Sequence, residues 1–203
     1  MIFNISLLAL AYLIGGIPTG YIITRFAGNL DIRGIGSGNI GTTNVYRALG
    51  LRWALFTFIC DALKGVLPVL VVSLVSASPW WRAGAGLLAV TGHLFSPYLR
   101  LHGGKGVATA FGAILCLVPV AAIIEFSLWA LLAFRLKIIS IASLLAAIAL
   151  PVIVAIFSPV TAFRLLALCL STLILFSHRE NIRRLFRGEE KPLERKRAGS
   201  SPP

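Results

Sequence analysis

Charged side chains, and acidic ones above all, are scarce in this chain. Of its 203 residues, 13% are charged and 7 are Asp or Glu, whereas 58% are hydrophobic. A soluble domain of this length needs far more polar surface, so the composition indicates an integral membrane protein. The 19 Lys and Arg residues give a net charge of +12. In this class of protein we expect the partner to be the lipid bilayer and not nucleic acid.

Cysteines are few, and each lies within an apolar segment. Their number is odd, and the wide spacing of Cys60, Cys116 and Cys169 fits neither a disulfide framework nor a zinc site. We therefore interpret them as small packing residues and expect no metal and no cofactor. Neither a Ser-His-Asp nor a Cys-His set is evident in the sequence, so a covalent acyl-enzyme mechanism is not indicated.

Apolar runs long enough to cross a bilayer recur along the chain. They cover residues 3–24, 53–76, 82–100, 138–157 and 160–177. The stretch 106–134 is ambiguous, because 29 helical residues measure about 43 Å, too long for one upright crossing and short for two.

The placement of basic residues resolves this ambiguity. If 106–134 forms a hairpin that turns near Pro119, 16 of the 19 basic residues share one side, with Arg82 and Arg164 opposite. The first basic residue, Arg25, follows the first apolar run, unlike the charge order of a signal peptide. We therefore predict an all-α polytopic membrane protein with seven transmembrane helices. The N-terminus would be outside, the C-terminus cytoplasmic, and the fourth and fifth spans short.

The C-terminal end differs in composition from the rest. We predict a single integral-membrane domain over residues 1–187. Residues 188–203 are interpreted as a basic, disordered cytoplasmic tail that is drawn to anionic lipid. Within the second span, Asp61 and Lys64 stand three residues apart, and because isolated charges in lipid are unfavourable we predict an ion pair.

A run of small polar residues, 36–44, lies between the first two long apolar segments. Its glycines allow close approach of the backbone to a ligand, its Ser, Asn and Thr side chains can form hydrogen bonds, and Arg47 follows it. These groups together suit a phosphate. The formal match to the dinucleotide fingerprint lacks the required strand, so we reject that interpretation. The alternative is a flexible interhelical turn.

Two further polar patches have the same predicted location. Lys105 lies in a glycine-rich loop, but a glycine follows it, which excludes a P-loop and leaves either a simple anion site or a lysine that sets topology. His178 ends the last span, and Asn181 lies on the same helical face, although an interfacial histidine can also be purely structural. In the seven-span arrangement these patches and the 135–143 turn converge on the cytoplasmic face.

Several motifs together resemble a known family. They are Gly-x-Gly-Asn-x-Gly-x-Thr-Asn-Val-x-Arg over 36–47, Gly-His-x-Phe and Gly-Gly-Lys-Gly-Val-Ala-Thr over 92–109, Ser-x-x-Ser over 140–143, and His-Arg-Glu-Asn-Ile-x-Arg-Leu over 178–185. In order and spacing they resemble the bacterial acyl-phosphate:glycerol-3-phosphate acyltransferases of the PlsY type. The resemblance extends over about residues 10–187.

The resemblance implies a reaction and a location. A fatty acyl group would move from acyl-phosphate to the 1-hydroxyl of sn-glycerol 3-phosphate, giving lysophosphatidic acid and phosphate in the first membrane step of phospholipid synthesis. It implies a multi-pass protein of the bacterial inner membrane and functional coupling to the enzyme that makes acyl-phosphate. The base would be His178 or the substrate's own phosphate. The competing class is a transporter, but we find no inverted repeat, and the chain is short for one.

The resemblance also implies site residues. The catalytic residues would be Ser37, Arg47, Lys105, His178 and Asn181. The substrate-binding residues would be Gly36, Ser37, Gly38, Asn39, Thr43, Asn44, Arg47, Gly103, Gly104, Lys105, Ser140, Ser143, His178 and Asn181.

Overall fold

The computed structural model describes residues 2–193, and every regular element in that range is helical. Two short 3-10 helices, Ile32–Gly34 and Pro97–Leu99, lie in loops. The α-helices of this range are α1 (Ile2–Gly16), α2 (Thr19–Gly28), α3 (Thr42–Leu49), α4 (Leu51–Val75), α5 (Pro79–Leu94), α6 (Val107–Leu117), α7 (Pro119–Leu136), α8 (Ile139–Phe157), α9 (Thr161–Ser177) and α10 (Arg179–Phe186).

Several of these helices are long and apolar enough to cross a membrane. Four segments meet that description, namely α1 with α2 as one stretch, α4, α7 and α8. The pair α9 and α10 makes a fifth, bent by 56° between the two helices. Because α10 contains three Arg and one Glu, we take the apolar part of this bent pair to be α9, which ends at Ser177. The chain is thus a multi-pass, all-helical membrane protein. The seven-span count and the orientation stay predictions.

The ambiguous stretch 106–134 contains a helix break. Val118 has a non-helical conformation, and Pro119 begins α7 at a position where its missing N–H is not needed. The predicted turn near Pro119 is therefore present. Two helices were expected to be short, and α6, with 11 residues, is short. The expectation is wrong for α7, whose 18 residues reach about 27 Å because the helix continues to Leu136.

Small residues set the spacing between α4 and α6. A Cβ at Gly65 of α4 would overlap the carbonyl oxygen of Thr109, and a Cβ at Gly112 of α6 would overlap that of Ala62. Membrane helices gain little from the hydrophobic effect on association, so such close backbone contact supplies the packing energy. It also fixes the beginning of α6, where the Lys105 loop ends.

A buried charged cluster joins three helical segments. The Nζ of Lys64 lies 2.6 Å from Oδ1 of Asp61, which confirms the predicted ion pair. The same nitrogen donates to the carbonyl of Ile17 at 2.7 Å and lies 3.2 Å from Nδ1 of His93. Because Ile17 lies at the break between α1 and α2 and His93 on α5, the ammonium satisfies groups from three parts of the bundle.

The first residues of the predicted tail follow a defined path. Gly188, two residues after the end of α10, has φ +68°. The backbone N–H of Leu193 then donates to the carbonyl of Lys137 at 2.8 Å. Residues 188–193 therefore fold back to the turn between α7 and α8, whereas we expected disorder from 188 onward. The remainder of the tail, including the basic cluster at 195–197, lies outside the described residues.

Candidate active site

One cavity of about 950 Å³ brings the predicted patches together. Its wall is formed by the loop before α3, α3 itself, parts of α4 and α7, the beginnings of α6 and α8, and residues between His178 and Leu193. The predicted site residues in this wall are Gly36, Ser37, Asn39, Thr43, Asn44, Arg47, Lys105, Ser140, Ser143, His178 and Asn181. Gly38, Gly103 and Gly104 are not part of the wall, although they lie in the loops that carry Ser37 and Lys105.

Asn44 organises the glycine-rich loop from within. Its buried Nδ2 donates to the carbonyls of Ile35 at 2.8 Å and Asn39 at 2.9 Å, and its Oδ1 accepts from the N–H of Ser37 at 3.2 Å. Gly36 has φ +57°, a conformation that side chains disfavour. The Asn44 amide thus shapes the loop that presents Ser37 to the cavity.

Helix α3 places a cation at the same wall. Thr43 and Arg47 are separated by four residues and therefore lie on one face of the helix, toward the cavity. Burial lowers the pKa of Arg47, and the negative charge of Glu190 partly opposes this effect. Arginine stays protonated in proteins, so the guanidinium is a desolvated cation suited to an anionic ligand.

Lys105 is held by the loop that precedes α6. The N–H of Gly103 donates to the carbonyl of Leu94 at 2.9 Å, and that of Gly104 to His93 at 3.0 Å, so the loop is pinned to the end of α5. The ammonium donates to Oδ1 of Asn181. Burial lowers the pKa of Lys105 to about 8, with Glu190 acting in the opposite direction. The side chain is still predominantly charged at neutral pH.

His178 presents one defined nitrogen to the cavity. Its Nδ1 lies 2.8 Å from the carbonyl of Ile174, and because a carbonyl only accepts, Nδ1 carries the hydrogen. Burial, and then the charge of Lys105, lowers the pKa of His178 to about 4. The ring is therefore neutral at pH 7 and offers the Nε2 lone pair as an acceptor.

Two residues of the cavity wall, Glu190 and Arg184, were missed by sequence reasoning. The carboxylate of Glu190 accepts from Oγ of Ser140 at 2.7 Å, from Nδ2 of Asn181 at 2.5 Å and from Nε of Arg184 at 2.6 Å. Both Glu190 and Arg184 line the cavity. The available signal was Gly188 followed by Pro192, a pattern typical of a chain that ends a helix and turns.

Four aromatic side chains form one part of the cavity wall, next to the buried Glu125. The rings of Phe58, Phe111, Phe126 and Trp129 line it, with neighbouring centroids 5.2 to 5.9 Å apart. Ser143 accepts from Nε1 of Trp129 at 3.1 Å, so its hydroxyl anchors that ring. A cavity whose wall contains both cations and an aromatic cluster can hold an anionic head group and an alkyl chain together.

Comparison with known proteins agrees with this geometry. A family model described as glycerol-3-phosphate acyltransferase matches residues 5–188. A glycerol-3-phosphate acyltransferase from Geotalea daltonii is 41% identical over 95% of this chain and 98% of its own length. One from Methylorubrum extorquens is 46% identical over 92% of this chain and 91% of its own.

Solved structures give the same result. The glycerol 3-phosphate form of PlsY (YgiH), an integral membrane glycerol 3-phosphate acyltransferase, superposes with a TM-score of 0.89 at 35% identity, covering 94% of this chain and 96% of that one. Its lysophosphatidic acid form superposes with a TM-score of 0.87 at 34% identity, covering 93% and 94%. The chain therefore belongs to the PlsY-type glycerol-3-phosphate acyltransferase family.

Proposed function

We propose that this protein transfers a fatty acyl group from acyl-phosphate to the 1-hydroxyl of sn-glycerol 3-phosphate. The products are 1-acyl-glycerol 3-phosphate and inorganic phosphate. The observation that carries the proposal is that Arg47, Lys105 and the aromatic cluster line one cavity. Both substrates are phosphates and one has a long alkyl chain, so the cavity matches the shared chemistry of the pair.

The proposed catalytic roles follow from charge and hydrogen-bonding capacity. Arg47 and Lys105 bind phosphate oxygens, and Lys105 with Ser37 stabilises the negative charge that develops on the acyl carbonyl oxygen. Asn181 and the neutral His178 orient glycerol 3-phosphate. The remaining substrate-binding residues predicted from the sequence supply neutral donors, with Gly38, Gly103 and Gly104 contributing through loop conformation.

The proton of the attacking hydroxyl needs an acceptor. With a pKa of about 4, His178 is a weak base, although its Nε2 can still accept a hydrogen bond from the hydroxyl. A phosphate monoester loses its second proton near pH 6 and is the stronger base. We propose that a substrate phosphate takes this proton while the hydroxyl oxygen attacks the carbonyl carbon. The tetrahedral intermediate then collapses as the C–O bond to the leaving phosphate breaks.

The proposed location is the cytoplasmic face of the bacterial inner membrane. Arg47, Lys105 and Arg184 line the cavity, and Lys137 accepts a backbone hydrogen bond from Leu193, which also lines it. Arg82 and Arg164 lie near the beginnings of α5 and α9 and do not line the cavity. Basic residues favour the cytoplasmic side, which supports an N-terminus outside and a C-terminus inside. There the site would receive acyl-phosphate from the enzyme that makes it.

Purified protein in detergent tests the reaction. With palmitoyl-phosphate and glycerol 3-phosphate we expect phosphate release that requires both substrates. Acyl-CoA should not replace acyl-phosphate, and EDTA should leave the rate unchanged. Turnover with acyl-CoA at a comparable rate, or phosphate release without glycerol 3-phosphate, would contradict the proposed donor and acceptor.

A further inference from the structure

One buried carboxyl group in the cavity wall has no hydrogen-bond partner. Glu125 of α7 is 9% exposed and lines the cavity. Its Oε2 is buried and forms no hydrogen bond with any residue between 2 and 193. Among those residues, the other buried side-chain atom in this situation is Oγ1 of Thr109, which is not part of the cavity wall. Glu125 is therefore the position at which the wall offers an unused polar atom.

Glu125 also lies well inside the membrane-spanning part of α7. The helix begins at Pro119 and ends at Leu136. Because an α-helix rises about 1.5 Å per residue, Glu125 lies about 9 Å from the first residue of the helix and about 16 Å from the last. A glutamate side chain is too short to bring its carboxyl group to the lipid head groups from there. An acid at such a depth is unfavourable without a partner, and in membrane proteins it usually has a function.

Neighbouring polar groups of the wall already have partners within the protein. Trp129, one turn further along α7, donates its ring N–H to Oγ of Ser143 at 3.1 Å. Asp61, on α4, pairs with Lys64 at 2.6 Å. A tryptophan ring has one donor and no acceptor, so Trp129 has nothing left to offer. A hydrogen bond to Glu125 has to come from what fills the cavity.

The chemistry of a carboxyl group limits what that partner can be. Its oxygens accept hydrogen bonds in either protonation state, and the protonated form also donates one, so it matches a hydroxyl group. A saturated alkyl chain supplies no such partner and would leave the buried oxygen unsatisfied. We propose that Glu125 is a specificity-determining residue that recognises a hydroxyl group on the acyl chain, so that a suitably hydroxylated acyl-phosphate is preferred to the unsubstituted one. This rests on the proposed function, which places an acyl chain in the cavity.

Glycerol 3-phosphate is the other substrate that carries hydroxyl groups. The surroundings of Glu125 favour the acyl chain, because Phe126 and Trp129 on the same helix line the cavity with ring centroids 5.7 Å apart, and Phe111 packs against Phe126 at 5.2 Å. Aromatic rings present a large apolar surface that suits an alkyl chain better than a small polar triol derivative. We therefore assign the hydroxyl group to the acyl chain, and the two sources are distinguished by measuring both substrates.

A comparison of acyl donors tests the assignment. The measurement is kcat/KM for palmitoyl-phosphate and for a series of hydroxypalmitoyl-phosphates whose hydroxyl group is moved stepwise along the chain. For the best position, the preference over palmitoyl-phosphate should fall by about tenfold in Glu125→Leu, the effect of one lost hydrogen bond. Glu125→Gln keeps an acceptor and a donor and should retain most of the preference. Partial misfolding lowers the rate with both donors alike and does not change their ratio.

Two controls complete the comparison. Ser127→Ala removes a polar group from the same helix at an exposed position outside the cavity wall, and the donor preference should be unchanged. The KM for glycerol 3-phosphate should be the same in Glu125→Leu as in the unmodified protein. A donor preference that is equal in the unmodified protein and in Glu125→Leu for every hydroxyl position would overturn the proposal. A change confined to the KM for glycerol 3-phosphate would do so too.

Binding of monoalkyl phosphates separates this inference from the proposed function. These compounds have no acyl group, so they cannot act as donors. The Kd of a hydroxyhexadecyl phosphate relative to that of hexadecyl phosphate should rise by about tenfold in Glu125→Leu. If this ratio changes but palmitoyl-phosphate is not turned over, the hydroxyl site stands and the proposed function fails. If turnover occurs and neither ratio responds to Glu125, the proposed function stands and the hydroxyl site fails.

Discussion

Lys105 donates a hydrogen bond to Oδ1 of Asn181 across 76 residues of sequence. This contact joins the loop before α6 to α10 and fixes which end of the amide faces the ammonium. Since Oδ1 faces Lys105, the Nδ2 group faces away from it and donates to the carboxylate of Glu190 at 2.5 Å. The pair thus places a cation and a neutral donor side by side, as an anionic substrate requires.

Replacing Lys105 with Met tests whether this cation acts on the substrate. Methionine keeps most of the apolar stem but removes the ammonium. If Lys105 contacts phosphate or the developing oxyanion, the turnover number should fall by about 10²-fold or more. The measurement is steady-state phosphate release by purified protein.

The alternative role for Lys105 is to set topology. Fifteen of the 16 basic residues predicted on that side remain in Lys105→Met, so the orientation should be preserved. A folded and correctly oriented Lys105→Met protein with unchanged kinetics for both substrates would refute the assignment.

The pKa of Lys105 predicts a pH limit on activity. The folded-state pKa of about 8 is below the usual 10.5. The ammonium is therefore present below pH 8 and lost as pH rises through that value. We expect kcat/KM to decrease above about pH 8, whereas the second ionisation of phosphate, near pH 6, affects the acidic side of the profile.

The saturated enzyme should behave differently from the free enzyme. A bound phosphate favours the charged ammonium, so the decrease in kcat should occur at higher pH than the decrease in kcat/KM. Lys105→Arg keeps its charge throughout, so any activity it retains should lack the decrease near pH 8. Persistence of that decrease in the arginine variant would assign it to another group.

Close packing of α4 against α6 predicts a specific sensitivity to added volume. In Gly112→Ala the new methyl group would overlap the Ala62 carbonyl, and backbone cannot move as a side-chain end can. We expect the melting temperature in detergent to fall, since overpacking typically destabilises by about 1–3 kcal/mol. Gly84→Ala is the control, because its Cβ would make only ordinary contact with Leu8. Equal melting temperatures for the two variants would contradict the helix spacing.

Sequence reasoning located the polar patches because each has a local signal. The glycine-rich run before Arg47, the glycines around Lys105 and the histidine that ends α9 are all visible within a few residues. Their convergence followed from topology alone. The Asp61–Lys64 pair was also accessible, because charges three residues apart in an apolar helix must satisfy each other.

Contacts between distant residues without a local sequence signal could not be predicted from the sequence. The approach of Glu190 to Ser140 joins residues 50 positions apart, and it depends on the path of the chain after α10. A charged C-terminal segment is typical of disorder, so composition pointed away from the site. Similarly, the placement of basic residues favoured a turn near Pro119 but did not show how far α7 continues, because Arg135 and Leu136 extend the helix past the apolar run.

The predicted orientation can be tested by labelling from the two sides of the membrane. In a background without Cys60, Cys116 and Cys169, a cysteine at Pro119 should react with an impermeant maleimide added outside. A cysteine at the exposed Arg187 should react only after the membrane is permeabilised. The physical basis is that the seven-span arrangement would place 16 of the 19 basic residues on one side, which the positive-inside rule makes cytoplasmic. Labelling of both positions from the same side would rule out the seven-span arrangement and, with it, a cytoplasmic cavity mouth opposite the α6–α7 turn.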